Sequence, residues 1–165
     1  MTYMVYSGPE FRNSGLLDPY FELMQRNFAH LFGPDMDTPQ SRATWIHYNL
    51  ELPEEQDWRM ILAADGERIC GYVSTSLEGR ILWLRDIVID RSCRFKPNIF
   101  KTLLYCTFHD YFDRFDEIRS YINKNNDESL HNFMKYAEIV QEKERGYTLR
   151  ASERGLQMLH RICGE

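Results

Sequence analysis

Three basic side chains, Arg91, Arg94 and Lys96, stand close together in the stretch LRDIVIDRSCRFKPNIFKTLL, residues 84–104. They occupy the turn between an apolar β-prone run and an apolar helical stripe. A helix start offers unsatisfied amides and the positive end of a dipole, and nearby cations add charge-assisted hydrogen bonds, so this turn has the chemistry to hold a phosphate. The alternative is a solvated loop whose cations hold no ligand. Pro97 has no N–H to give, whereas Asn98 and Ile99 do, and proline in a first helical turn is compatible with a helix start there.

Asp86 precedes this turn within an otherwise apolar run. Burial there raises a carboxyl pKa toward the range of a general base. The alternative is an ion pair with Arg85 or with a neighbouring strand. Glu54, Glu55 and Asp57 form an acidic stretch that either attracts an amine or is merely solvated. His109 and Asp113 fall one helical turn apart, but no second histidine is near, and no metal is expected. Cys70, Cys93, Cys106 and Cys163 are scattered without C-x-x-C spacing, which indicates neither zinc site nor disulfide framework. Cys93 reads as a plain free thiol.

The elements that position these groups follow from periodicity. Residues 3–7 are β-prone and end at the turn signal Gly8-Pro9. LLDPYFELMQRNFAHLFG carries an apolar stripe at three-to-four spacing, capped by Asp18 and closed by Gly33-Pro34, and a second helix is expected from Thr38 to about Leu50. Asp65-Gly66 and Glu78-Gly79 then separate three β-rich runs, roughly 58–64, 68–77 and 81–90, as consecutive hairpins would. A helix whose stripe runs from Ile99 to Phe112 follows, then a strand at 117–124 and a helix at 127–137 capped by Asn126 or Asp127. One or two strands broken at Arg145-Gly146 and a short helix capped by Ser152 complete the chain.

The length of 165 residues fits a single domain spanning 1–165, and 43% hydrophobic content is ample for a core. A net charge of −5 argues against a duplex nucleic-acid partner. The N-terminal residues show no leader pattern and no long apolar run occurs, so no membrane is expected and the location read is cytoplasmic.

Three stretches in this order resemble the GNAT superfamily of N-acetyltransferases, from about Met4 to Thr148. AADGERICGYVS is similar to the family's second and third strands. LRDIVIDRSCRFKPNIFKTLL is similar to its fourth strand, pyrophosphate loop and third helix. INKNNDESLHNFMKYAEIV is similar to its fifth strand and following helix, with Asn126 and Ser129 in the Asn-x-x-Ser/Ala spacing. The resemblance implies an α/β, GNAT-like mixed and mostly antiparallel central sheet with helices on both faces. It also implies splayed fourth and fifth strands with the pantetheine arm of acetyl-CoA between them. The cofactor-binding set so implied is Ile87, Val88 and Ile89 on the strand, Arg94, Phe95, Lys96, Asn98 and Ile99 in the loop, and Asn126 with Ser129.

Two positions depart from the family pattern. Its loop reads Arg/Gln-x-x-Gly-x-Gly/Ala, and here both glycines are gone and the loop is one residue longer. The family's general-acid tyrosine falls on Phe133, and a phenyl ring donates no proton. Tyr136, three residues on, takes that role only if the helix register differs from this count; the alternative is a packing role in the core or on the surface. The implied activity is transfer of an acetyl group from acetyl-CoA to a small-molecule or peptide amine by direct attack, with Asp86 and Tyr136 as the catalytic candidates and a homodimer as a possible assembly. The alternative is a non-catalytic binding or interaction module with a lost or reused cleft.

Overall fold

The computed structural model of the chain describes residues 1–32, 38–51, 57–109 and 111–164. Seven strands, β1 (Thr2–Ser7), β2 (Asp57–Asp65), β3 (Arg68–Glu78), β4 (Ile81–Ile89), β5 (Glu117–Asn123), β6 (Ala137–Glu142) and β7 (Gly146–Ala151), form one sheet in the order β1-β2-β3-β4-β5-β7-β6. All neighbours are antiparallel except β4 and β5. The expected mixed, mostly antiparallel sheet is therefore observed. Gly66 and Gly79 take φ of 63° and 61° in the two hairpin turns, a conformation without steric cost only for glycine.

Among the described residues six helices cover the sheet: α1 (Gly8–Arg12), α2 (Leu17–Phe32), α3 (Pro39–Ile46), α4 (Ile99–Phe108), α5 (Asp127–Phe133) and α6 (Glu153–Cys163). On one face Phe11, Tyr20 and Leu23 from α1 and α2 pack on Trp58, Met60, Tyr72 and Val88 of the strands, with Trp45 of α3 against them. On the other face α4 packs Ile99 and Leu103 on Ile61, Val73 and Leu84, and Phe133 joins this cluster. Below it Leu104 and Phe108 meet Leu82, Ile118 and Leu159 of α6. Strands β2 and β3 are buried on both faces over most of their length, and β3 buries Ser74, Thr75 and Ser76 as well as its apolar residues.

Several boundaries differ from expectation, each for a visible reason. The Gly8-Pro9 turn is the start of a short helix, because Ser7 and Glu10 form a capping box: Ser7 N–H donates to Glu10 Oε2 at 2.8 Å, and Glu10 N–H to Ser7 Oγ. Helix α3 ends at Ile46 and passes into a π-helical turn, His47–Glu51. Helix α4 starts at Ile99, where the apolar stripe begins, and stops at Phe108, short of Phe112, so His109 and Asp113 do not share a helical face. The apolar stripe continues past it because Tyr111 and Phe112 still pack inward from the following turn. The segment after Lys135 is not the end of a helix but the start of the β6–β7 hairpin. Gly33-Pro34, Glu54 and Glu55 lie outside the described residues.

Candidate functional site

Strand β4 pairs with β5 only between Ile81–Leu84 and Glu117–Ser120. Beyond this fork the two strands part. On its other side β4 stays paired to β3, with a bulge at Arg85: Ser74 faces Asp86 and Thr75 faces Leu84. Asp90 N–H donates to Cys70 O at 2.8 Å. Backbone groups of a strand alternate in direction, so those of Val88 also face β3, and those of Ile87 and Ile89 face the gap. An opened cleft of about 570 Å³ results, and Ile87, Val88 and Ile89 form one wall. It passes through the sheet. Asn27, Phe28 and His30 of α2 line it on one face, and Phe100 and Leu104 of α4 on the other.

The upper end of the cleft is built by the turn after β4. Asp90 caps a 3-10 turn, Arg91–Cys93, accepting hydrogen bonds from Ser92 N–H at 2.9 Å and Ser92 Oγ at 2.8 Å. Its buried carboxylate also accepts from Arg26 of α2 at 2.9 Å and from Arg68 of β3 at 3.3 Å. These hydrogen bonds outweigh desolvation and hold the Asp90 carboxyl at about 2. Cys93 is buried with its thiol 2.8 Å from the Cys70 sulfur, and burial pushes the Cys70 thiol up to about 11. The turn is thus pinned to both β3 and α2.

Asn98 precedes α4 in the left-handed region (φ 66°) and gives no side-chain cap. The first helical bond runs from Thr102 N–H to Asn98 O, 2.8 Å, which leaves the amides of Ile99, Phe100 and Lys101 at an uncapped helix end. Arg91 and Arg94 line the cleft beside it. Arg94 is half-exposed and pairs with Glu128 of α5 at 3.4 Å. Lys96 is held instead in an ion pair with Asp65 at the end of β2. Phe95 is 94% exposed, and the Ile99 side chain is buried beneath α4. Phe95, Lys96, Asn98 and Ile99 are not among the cleft walls.

The opposite wall comes from α5 and the segment after it. Asn126 caps α5 by accepting from Ser129 N–H at 3.2 Å, and both residues line the cleft. Phe133 also lines it and packs against the α4 cluster. Tyr136 lies beyond the helix. Its carbonyl accepts from Ser152 N–H at 2.9 Å, and α6 approaches so closely that a Cβ at Gly155 would sit 2.2 Å from that oxygen. Only glycine permits this contact, which fixes Tyr136 on the cleft wall with Arg154 over its ring.

Asp86 stands elsewhere. Its carboxylate accepts from Ser74 Oγ at 3.3 Å and adds to the effect of burial, the main cause, in raising the pKa of Tyr20 and Tyr72, so it faces the α2 layer, and it is not among the cleft walls. Burial pushes its pKa up, against the smaller opposing effects of Ser74 and Arg85. The ion pair weighed for it is not made: Arg85 instead donates to Ser76 Oγ at 2.8 Å and pairs with Glu78. Of the implied residues, the fold gathers Ile87, Val88, Ile89, Arg94, Asn126, Ser129 and Tyr136 on one cleft. His30 and Asn27 join them without having been singled out in the sequence. A polar Asn27 inside the apolar stripe of α2 was the signal available. Among the described residues no group of three or more His, Cys, Asp or Glu side chains could hold a metal ion.

No family model and no curated protein matches the chain in sequence. Solved structures do match in shape. The PaiA N-acetyltransferase of Thermoplasma acidophilum, solved with coenzyme A, aligns with a TM-score of 0.61 at 11% identity over 92% of this chain and 99% of its own. PH1933 of Pyrococcus horikoshii aligns with a TM-score of 0.64 at 12% identity over the same shares. A GNAT-family acetyltransferase of Streptococcus pneumoniae gives 0.54 at 11% identity over 90% and 98%. With its seven-stranded sheet and forked β4–β5 pair, the chain has the fold of the GNAT acetyltransferases.

Proposed function

We propose that this protein is an acyl-CoA-dependent N-acyltransferase that binds acetyl-CoA in the β4–β5 cleft and transfers the acyl group to an amine. The observation that carries the reading is the free edge of β4. Past Leu84 that edge has backbone groups facing an open gap, and the gap ends at an uncapped helix N-terminus flanked by Arg91 and Arg94. A pantetheine arm is an amide chain that can pair with such an edge as an added strand, and a pyrophosphate suits such a helix end. The coenzyme A complex of the Thermoplasma protein supports the same occupant.

In the reaction, the amine enters from the α2 face past His30 and attacks the thioester carbon. A free β4 amide stabilises the oxyanion, a C–N bond forms, and the C–S bond breaks. The thiolate takes a proton from the Tyr136 hydroxyl, the amine proton leaves to water at the α2 side, and solvent returns a proton to the Tyr136 phenolate. Holding the two reactants together supplies much of the rate. Asp86 is given no step, because its carboxylate meets Ser74 rather than the cleft.

Phe133, on the cleft wall and packed against the α4 cluster where the family pattern has its tyrosine, favours a second reading: a module that binds the cofactor without turning it over. Calorimetry with CoA and acetyl-CoA at low and moderate salt, followed by a panel of amines, separates the two. Binding that weakens with salt, together with release of free thiol when an amine is added, supports the transferase. Binding without turnover supports the module. No heat at millimolar acetyl-CoA removes both.

A further inference from the structure

The cleft does not end at the fork. Phe100, Leu104 and Phe108, four residues apart on one face of α4, all line it, so it follows that helix for about 12 Å. Ile118 lines it as well, two residues below Ser120 where β4–β5 pairing stops. The cavity therefore continues behind the paired part of the sheet, on the α4 side, and Leu149, Met158 and Leu159 close its far end. These side chains are all apolar; Phe100 at the upper end is half-exposed, whereas Leu104, Phe108, Ile118, Leu149 and Leu159 are buried.

A thioester polarised by the free amides at Ile87 or Ile89 lies above Leu84, and an acetyl group ends there after one methyl. Below that level the walls contributed by Leu104, Phe108, Ile118, Leu149 and Leu159 are apolar, which suits a hydrocarbon chain better than an amine. We propose that this space is an acyl-chain chamber, and that the preferred donor is a straight medium-chain acyl-CoA rather than acetyl-CoA. Resting on the transferase reading above, this keeps the same bond changes: C–N forms, C–S breaks, and the thiol leaves protonated. The level of Ile118, opposite Leu82, is two residues below the fork, about 7 Å of strand rise, which suits a chain of roughly six carbons.

The test is calorimetry of the full chain with CoA, acetyl-, butanoyl-, hexanoyl- and dodecanoyl-CoA. Each added methylene up to about six carbons is expected to tighten binding roughly threefold, with no further gain beyond, because each buried methylene contributes hydrophobic free energy until the chamber is full. Filling the chamber with Met158→Trp should cut the hexanoyl-to-CoA affinity ratio at least tenfold. Equal affinity for acetyl- and hexanoyl-CoA overturns the chamber while leaving the cofactor cleft standing. Failure of CoA and every acyl-CoA to bind overturns both.

Discussion

The Asp90 carboxylate sets the shape of the anion end, and replacing it with asparagine separates its charge from its size. Asp90 accepts hydrogen bonds from Ser92 and from two guanidinium groups, Arg26 and Arg68. Its side chain is 7% exposed, whereas the two arginines are 45% and 54% exposed. Both arginines therefore regain water when the charge is lost, and the cost stays below that of breaking a fully buried pair. The folded carboxyl sits at about 2, against a usual value of 3.8. A folded pKa below the unfolded one means stability that is fully present above the unfolded value and is lost as pH falls through the folded one. The difference corresponds to about 2 kcal/mol at pH 7, and at pH 3 about half of it is gone. Asp90→Asn should thus lower urea-unfolding stability by about 2 kcal/mol at pH 7 and by about 1 kcal/mol at pH 3. Equal destabilisation at both pH values would refute the reasoning, since the effect would then come from lost shape and not from charge.

Other expectations follow from the same geometry. Arg94→Ala should weaken CoA binding about tenfold and flatten its salt dependence, because one charge-assisted contact is lost. Lys96→Ala should leave the affinity within about twofold, since its partner is Asp65; parallel titrations decide between them. Asn98→Gly should be near neutral, and Asn98→Val should cost about 1–2 kcal/mol by urea unfolding, because a β-branched residue resists the left-handed conformation. Tyr136→Phe should lower kcat tenfold or more with KM unchanged, as measured by thiol release.

Much of the fold is legible in the chain because its local signals agree. The β-rich runs and the turns at Gly66 and Gly79 set three of the strands to within a residue or so. The capping box at Ser7 and Glu10 is also written in the sequence, and the Gly8-Pro9 pair obscures it by suggesting a turn. The end of α5 is different. The helical pattern continues toward Tyr136, but the Tyr136 carbonyl is captured by Ser152 and by the approach of α6 at Gly155, contacts from far along the chain. Tertiary structure overrides propensity there.

The site shows the same division. Residue types identify Arg94 and Lys96 as equal candidates for an anion, and only the fold turns Lys96 toward Asp65. Arg85 and Asp86 are adjacent in sequence, yet the bulge leaves Arg85 to Ser76 and Glu78. Asp90 gains its importance from arginines 64 and 22 residues away, which no local window reveals. His30 reaches the cleft only because α2 lies across the open side of the fork.

The central claim is that a CoA arm lies along the free edge of β4 and ends on the start of α4. Amide chemical shifts of isotopically labelled protein, followed during titration with CoA, test it most directly. Large, saturable changes are expected at Ile87, Ile89, Ile99, Phe100 and Lys101, with the outer strands β1 and β2 unmoved. Saturation with shifts confined to other surfaces, or no shifts at millimolar CoA, would contradict it.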